Sequence, residues 1–155
     1  MGVYVKVTGG DKLNQAVQQM AGKKFSIRAG IPAGATSTDG KSIPEYAAYN
    51  EFGTRRIPSR PFMRTTANNC QQKWVDALAK VLNIKALQGD PKSACAVVGD
   101  MMRADIVETI QRGSFTPDSP KTIAAKARKG KKEPDHPLID TGQMIASIIS
   151  EVKDE

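Results

Sequence analysis

The sequence predicts an α+β fold: a small, mostly antiparallel sheet packed against two long amphipathic helices, with long mobile loops at about 32–42 and 114–137. Three observations predict it. Apolar residues alternate at Val3, Val5 and Val7 and at Phe25, Ile27 and Ala29, the period of half-buried strands, and Ile148 to Lys153 suits a closing strand. Between them, two long stretches repeat their apolar residues at the helical period. Glycine and proline clusters punctuate the rest. At 155 residues the simplest organisation is one domain, 1–155, large enough to bury roughly 68–70% of its unfolded surface.

In chain order, the strand over residues 3–7 stops at Gly9-Gly10. Asp11 can cap a helix from Lys12 to about Met20, with Leu13, Val17 and Met20 on one face. A second strand follows from Phe25. The spacing leaves open whether it runs parallel or antiparallel to the first. Pro32 through Ser42 is small and polar, with nothing to bury, and reads as a mobile loop.

Glu45 to Arg64, EYAAYNEFGTRRIPSRPFMR, reads as a turn-rich joint between two helices. Tyr46, Tyr49 and Phe52 fall on one side of a short helix. Gly53 can take the left-handed backbone that ends it. Pro58 and Pro61 each fix their own φ and bias Ile57 and Arg60 away from the α region. Such a joint is stiff, and stiffness lowers the entropy cost of docking. Arg55, Arg56, Arg60 and Arg64 sit on it. Read as an outer ridge, it predicts that Arg60→Glu spares the fold and blocks docking.

From Phe62 to about Ile84, Phe62, Ala67, Cys70, Trp74, Ala77, Leu78, Val81 and Leu82 form one apolar stripe, the expected spine of the core. Gln88 to Pro91 breaks the chain. Asp90 then caps a helix to Gln111, with Pro91 in its first turn and Asp105 interrupting its apolar face. Residues 114–137 are turn-rich and charged, with a short helix from Lys121 to about Ala127. Asp140 or Thr141 can cap a short turn through Ala146, and Ile148 to Lys153 suits a closing strand.

Two blocks carry a family resemblance. The first is the aromatic-rich helix, Glu51-Phe52-Gly53, a spacer, then Pro58-Ser59-Arg60-Pro61-Phe62 and a long helix. The second is His136-Pro-Leu-Ile-Asp-Thr-Gly-Gln-Met144, followed by Ala146-Ser147-Ile148. In this order and spacing they resemble the small neck and tail-completion proteins of tailed bacteriophages. Met144 stands where leucine is commoner in that pattern. The resemblance spans roughly Phe25 to Val152 and implies a structural virion-assembly protein at the head–tail junction or in tail completion. It implies a ring of copies, a hexamer on assembly, docked to neck and tail proteins. The chain would occupy the host cytoplasm during assembly and then the virion. On it, Glu51, Phe52, Gly53, Arg55, Arg56, Pro58, Arg60, Pro61, Phe62, Arg64, Asp140, Thr141 and Gly142 become the candidate assembly residues.

Net charge is +7, from 23 Lys+Arg against 16 Asp+Glu, which suits an acidic partner or nearby nucleic acid. Lys121, Lys126, Arg128, Lys129, Lys131 and Lys132 form a basic run without an acid. They are the candidates for contact with DNA in a channel or with an acidic surface, although such runs are commonly just solvated. A basic nucleic-acid-binding module is therefore the second reading. Against it stand an aromatic content of 5% and the lack of a base-stacking motif.

Enzymatic readings are weaker. His136 is the only histidine, set in a charged loop, whereas nucleophilic catalysis needs a rigidly held imidazole. Cys70 and Cys95 lack metal-ligand spacing and read as small buried apolar residues. Asp140-Thr141-Gly142 matches the aspartic-protease triplet, but one copy could act only in a homodimer. No enzyme activity, metal or cofactor is expected. No apolar run approaches the about 18 residues of a membrane span. The N-terminus is not read as a secretory signal.

Overall fold

The computed structural model describes residues 25–86 and 90–154. The strand expected at 3–7 and the helix at 12–20 lie outside the described residues. The elements run β1 (Phe25–Gly30), α1 (Ile43–Phe52), α2 (Phe62–Ala86), α3 (Pro91–Arg112), α4 (Pro120–Arg128), α5 (Gln143–Ala146) and β2 (Ile149–Asp154). This is an α+β fold.

The two strands pair antiparallel, from Phe25 opposite Asp154 to Gly30 opposite Ile149. Ile27 faces Val152 across the pair. The helix pair packs on this sheet, with α3 directly against both strands and α2 against α3. Gly99 makes the approach close: a Cβ there would sit 3.2 Å from Ser150 Cβ and 3.4 Å from Ile27 Cγ2. Glycine in a helix interior costs about 1 kcal/mol of propensity, and here its missing side chain is what the sheet occupies.

Gly53 and Asp90–Pro91 act as expected, and Ser42 and Ser119 add caps beyond those expected from the sequence. Ser42 Oγ caps α1 through Glu45 N at 3.4 Å, and Gly53 ends the helix at φ 77°. Asp90 caps α3 through Ser93 N at 3.0 Å, behind Pro91. Ser119 caps α4 through Thr122 N at 3.3 Å. Before α5 the cap position falls on Gly142 at φ 76°, with no side-chain cap bond, rather than on Asp140 or Thr141. The left-handed backbone turns the chain into the helix there, which is why glycine is tolerated.

The main buried cluster lies at one end of the helix pair, and Ala94, Cys95 and Val98 are buried nearer the start of α3. Ile43 and Ala47 of α1, Phe62 of α2, Ile106 and Ile110 of α3, Met144 of α5, and Ile148 bury together. The expected spine is only partly realised. Phe62 and Thr66 are buried, but Cys70, Trp74, Ala77, Leu78 and Val81 are half-buried and Ala67 is exposed. Beyond its first turns α2 rests on α3 alone among the described elements, so its stripe is covered from one side. Trp74 Nε1 and Lys73 Nζ both donate to the buried Asp105, at 2.7 and 2.6 Å. That explains the acid within the apolar face of α3: it ties the two helices together.

Both expected loops carry hydrogen bonds in this structure. In 32–42, Ser37 N donates to Lys41 O at 2.9 Å, and Thr36 bridges Ser42. Backbone bonds, not apolar burial, close this turn. Residues 114–137, expected as an unpacked charged loop, are strapped down by ionic and backbone hydrogen bonds from buried side chains. Its charge, glycine and proline content make the segment read as solvated; Asp118 and Lys126 are instead paired inside the fold, while Lys121, Arg128, Lys129 and Lys132 stay exposed.

Candidate functional site

The joint between α1 and α2 is where the sequence motif acts, and its chemistry faces inward. α2 starts directly after Pro61, and neither Arg60 nor Pro61 is a capping residue. Its first amide groups therefore need acceptors from elsewhere. Glu51, the penultimate residue of α1 and 5% exposed, supplies them. Its carboxylate accepts from Met63 N at 2.9 Å and from Arg64 N at 3.1 Å. An anion at a helix N-terminus is also favoured by the helix dipole. Arg64 closes the cap: its Nε donates to Glu51 Oε1 at 2.9 Å and its Nη2 to Glu51 O at 2.7 Å.

Arg60 is the second brace. It is 4% exposed, and four of its five N–H groups are hydrogen-bonded. Nε donates to Thr116 O at 2.7 Å, Nη1 to Asn50 Oδ1 at 2.8 Å, and Nη2 to Pro117 O and Asp118 Oδ1 at 3.1 and 2.9 Å. Asp118 also accepts from Lys126 Nζ at 2.7 Å, and Lys126 donates again to His136 O at 2.8 Å. One buried ionic chain thus links the joint, the 114–119 segment, α4 and the 128–137 segment. The His136 ring nitrogens lie 2.8 Å from Gln111 O and from Pro137 O, tying that segment to the end of α3.

Gly53 makes the bend possible. At φ 77°, a Cβ would lie 3.0 Å from Ser59 N and 3.2 Å from Ile57 O. The loop beyond folds on itself. Thr54 N donates to Ile57 O at 2.8 Å, and Thr54 Oγ1 accepts from Arg56 N and Ile57 N at 3.2 and 3.0 Å.

The candidate assembly residues therefore divide. Glu51, Arg60 and Phe62 are buried in the chain's own fold, which corrects the reading of Arg60 as an outer docking residue. Gly53 and Pro61 are half-buried, and Phe52, Arg55, Arg56, Pro58 and Arg64 are exposed. Phe52 is 69% exposed, and the Arg64 guanidinium lies 5.1 Å from its ring centroid, within cation–π range. Tyr49, also exposed, adds to the same end of α1, its hydroxyl bonded to Glu45. Of the basic run, Lys126 is buried and ion-paired, Lys131 is half-buried, and Lys121, Arg128, Lys129 and Lys132 are exposed.

Asp140, Thr141 and Gly142 lie apart from the joint, beside a cleft of about 430 Å³ between residues 37–41 and 140–144. Gln143 fastens its walls: its Oε1 accepts from Thr38 N at 3.2 Å and its Nε2 donates to Thr38 Oγ1 at 2.8 Å. The cleft's charges are paired. Asp140 lies 3.5 Å from Lys129 Nζ. The hydrogen bonds from Lys41 and Ser37 hold the Asp39 carboxyl down at about 2. Asp140 is exposed, whereas acid–base work by that triplet uses carboxylates facing each other in hydrophobic surroundings. Burial pushes both cysteine thiols up, Cys95 by desolvation alone and Cys70 with help from Asp105, so each favours its protonated, unreactive form. Among the described residues no group of His, Cys, Asp or Glu side chains could hold a metal ion.

Sequence reasoning missed Glu51 as a cap, the Arg60–Asp118–Lys126 chain and the Gln143–Thr38 clasp. The first had a signal: a long helix without its own N-cap. No family model matches the chain, and comparison with curated proteins and with solved structures finds no match.

Proposed function

We propose that this chain is a structural assembly protein of a tailed phage or prophage particle, acting at the head–tail junction or in tail completion. It works by touching partners rather than by catalysis, forming a ring of copies on neck or tail proteins. What supports this most is the joint: a firmly braced bend, carrying the first of the two resemblance motifs, that holds an exposed aromatic–arginine tip away from the core. Bracing a loop before contact lowers the ordering cost of binding. The second motif contributes Gln143, which clasps Thr38 beside the Asp140–Gly142 corner. Sixfold tail symmetry makes a head-to-tail cyclic ring the expected arrangement. No helix among the described residues is long and apolar enough to cross a membrane.

The test is particle production without this chain. Heads and tails that accumulate unjoined or incomplete, and join once the protein is supplied, are expected. Particles that mature normally without it, and never contain it, would overturn the reading.

A basic nucleic-acid-binding module is the second reading, favoured by exposed Lys121, Arg128, Lys129 and Lys132 around α4. Binding to random-sequence duplex whose affinity falls steeply with salt, and weakens on replacing these residues, supports it.

A further inference from the structure

We propose that the tip formed by Phe52, Arg55, Arg56 and Arg64 is a docking head for an acidic segment of a partner protein, one that brings an apolar side chain along with its carboxylates. This rests on the assembly reading and names the partner's chemistry.

The tip has an apolar centre and a cationic rim. Phe52 is 69% exposed, a large ring left in water. Aromatic and arginine side chains are the types that dominate the energetics of protein–protein contacts. Arg64 already lies over Phe52 at 5.1 Å and is held there by Glu51. Arg55 and Arg56 have no ion pair or side-chain hydrogen bond among the described residues. Their planar forks match carboxylates in paired hydrogen bonds. The acids of α1 are committed elsewhere: Glu51 is buried on the start of α2 and Glu45 is bonded to Tyr49. Among the described residues the tip therefore offers two arginines without an ion pair, Arg55 and Arg56, on the loop that follows an exposed ring.

Charge alone would also suit a phosphate backbone. The ring of Phe52 decides between them, because a duplex backbone offers nothing to cover it. The better phosphate surface is around α4, where exposed cations surround no exposed large apolar side chain. The backbone of the tip is also set beforehand by the Thr54 bonds and the Gly53 bend, so docking orders few new torsions.

The experiment titrates the isotope-labelled full chain with a synthetic peptide of alternating glutamate and leucine, and separately with a short random-sequence duplex, following backbone amides by NMR. The peptide is expected to shift amides of Tyr49, Phe52, the 53–59 loop and Arg64, with affinity falling as salt rises. Phe52→Ser is expected to weaken it about tenfold, the scale of an aromatic anchor, and Arg55→Glu with Arg56→Glu to abolish it. No peptide shifts at the tip, or tip shifts with the duplex in preference to the peptide, would overturn the proposal. Its failure is separable from that of the assembly reading. A tip that binds the peptide in a chain the particle never contains sinks only the latter. A chain needed for joining whose tip ignores the peptide sinks only the former.

Discussion

Replacing Arg60 by alanine is expected to unfold part of this protein rather than to silence an interaction. Arg60 donates four hydrogen bonds from a buried guanidinium. Its ion pair with Asp118 is buried on both sides, with 5% and 12% of the side chains exposed. Removing one partner of a buried pair costs about 3–5 kcal/mol, because the other charge is left uncompensated. Asp118 keeps Lys126 at 2.7 Å, and water can reach the exposed Thr116 and Pro117 carbonyls. Both considerations favour the lower end, about 3 kcal/mol. Against a total stability of about 5–15 kcal/mol that is a large fraction. It corresponds to a melting temperature roughly 6–12 °C lower for a domain of this size. Arg60→Lys restores a charge but not the fork, and is expected to recover only part of the loss. Arg60→Glu, facing Asp118, is expected to be worse than alanine. Thermal and urea unfolding followed by circular dichroism read the loss, and hydrogen exchange reads faster opening of residues 114–119. A shift below about 1 kcal/mol, the scale of an exposed ion pair, with unchanged exchange would refute the bracing argument.

Three further outcomes follow from the same geometry. Gly53→Ala places a Cβ 3.0 Å from Ser59 N at φ 77° and is expected to cost about 1–3 kcal/mol, read by urea unfolding; a neutral change would mean the bend relaxes freely. Asp39, whose carboxyl the Lys41 and Ser37 hydrogen bonds hold at about 2, is expected to titrate there by NMR and to return toward about 3.9 in Lys41→Ala. Because its folded value is depressed, its contribution is present above the ordinary carboxylate range and lost as pH falls toward 2; an unshifted Asp39 would mean the turn is open in solution. Asp105→Ala strips the acceptor from Trp74 and Lys73. It is expected to red-shift tryptophan emission and to cost about 2 kcal/mol, and unchanged emission would remove the tie between α2 and α3.

How much of this was legible depended on the range of each interaction. Two helix ends were readable because their chemistry is local: Asp90 with Ser93 and Gly53 at the bend act within a few residues. The closing strand was readable as the short stretch Ile148 to Lys153 after the Asp-Thr-Gly turn. Its antiparallel pairing with β1 was not fixed by spacing, since register is set by partners far along the chain. The joint showed itself as an unusual stretch, but its polarity was misread. Arginines were assigned to the surface by type. Arg60 is buried because Asp118, fifty-eight residues away, meets it, and no local pattern signals that. Lys126 was placed on a basic face for the same reason. The stripe of α2 was over-read, because apolar periodicity says which face could be buried and not what covers it. Trp74 is half-covered through a hydrogen bond to Asp105, the residue that looked like a flaw in α3.

The most direct measurement is particle assembly with the Arg55→Glu, Arg56→Glu double variant, beside a melting curve of the same purified protein. Both side chains are exposed and unpaired among the described residues, so the account predicts a wild-type melting temperature together with particles that fail to join. A fully infectious yield from that folded variant would contradict it.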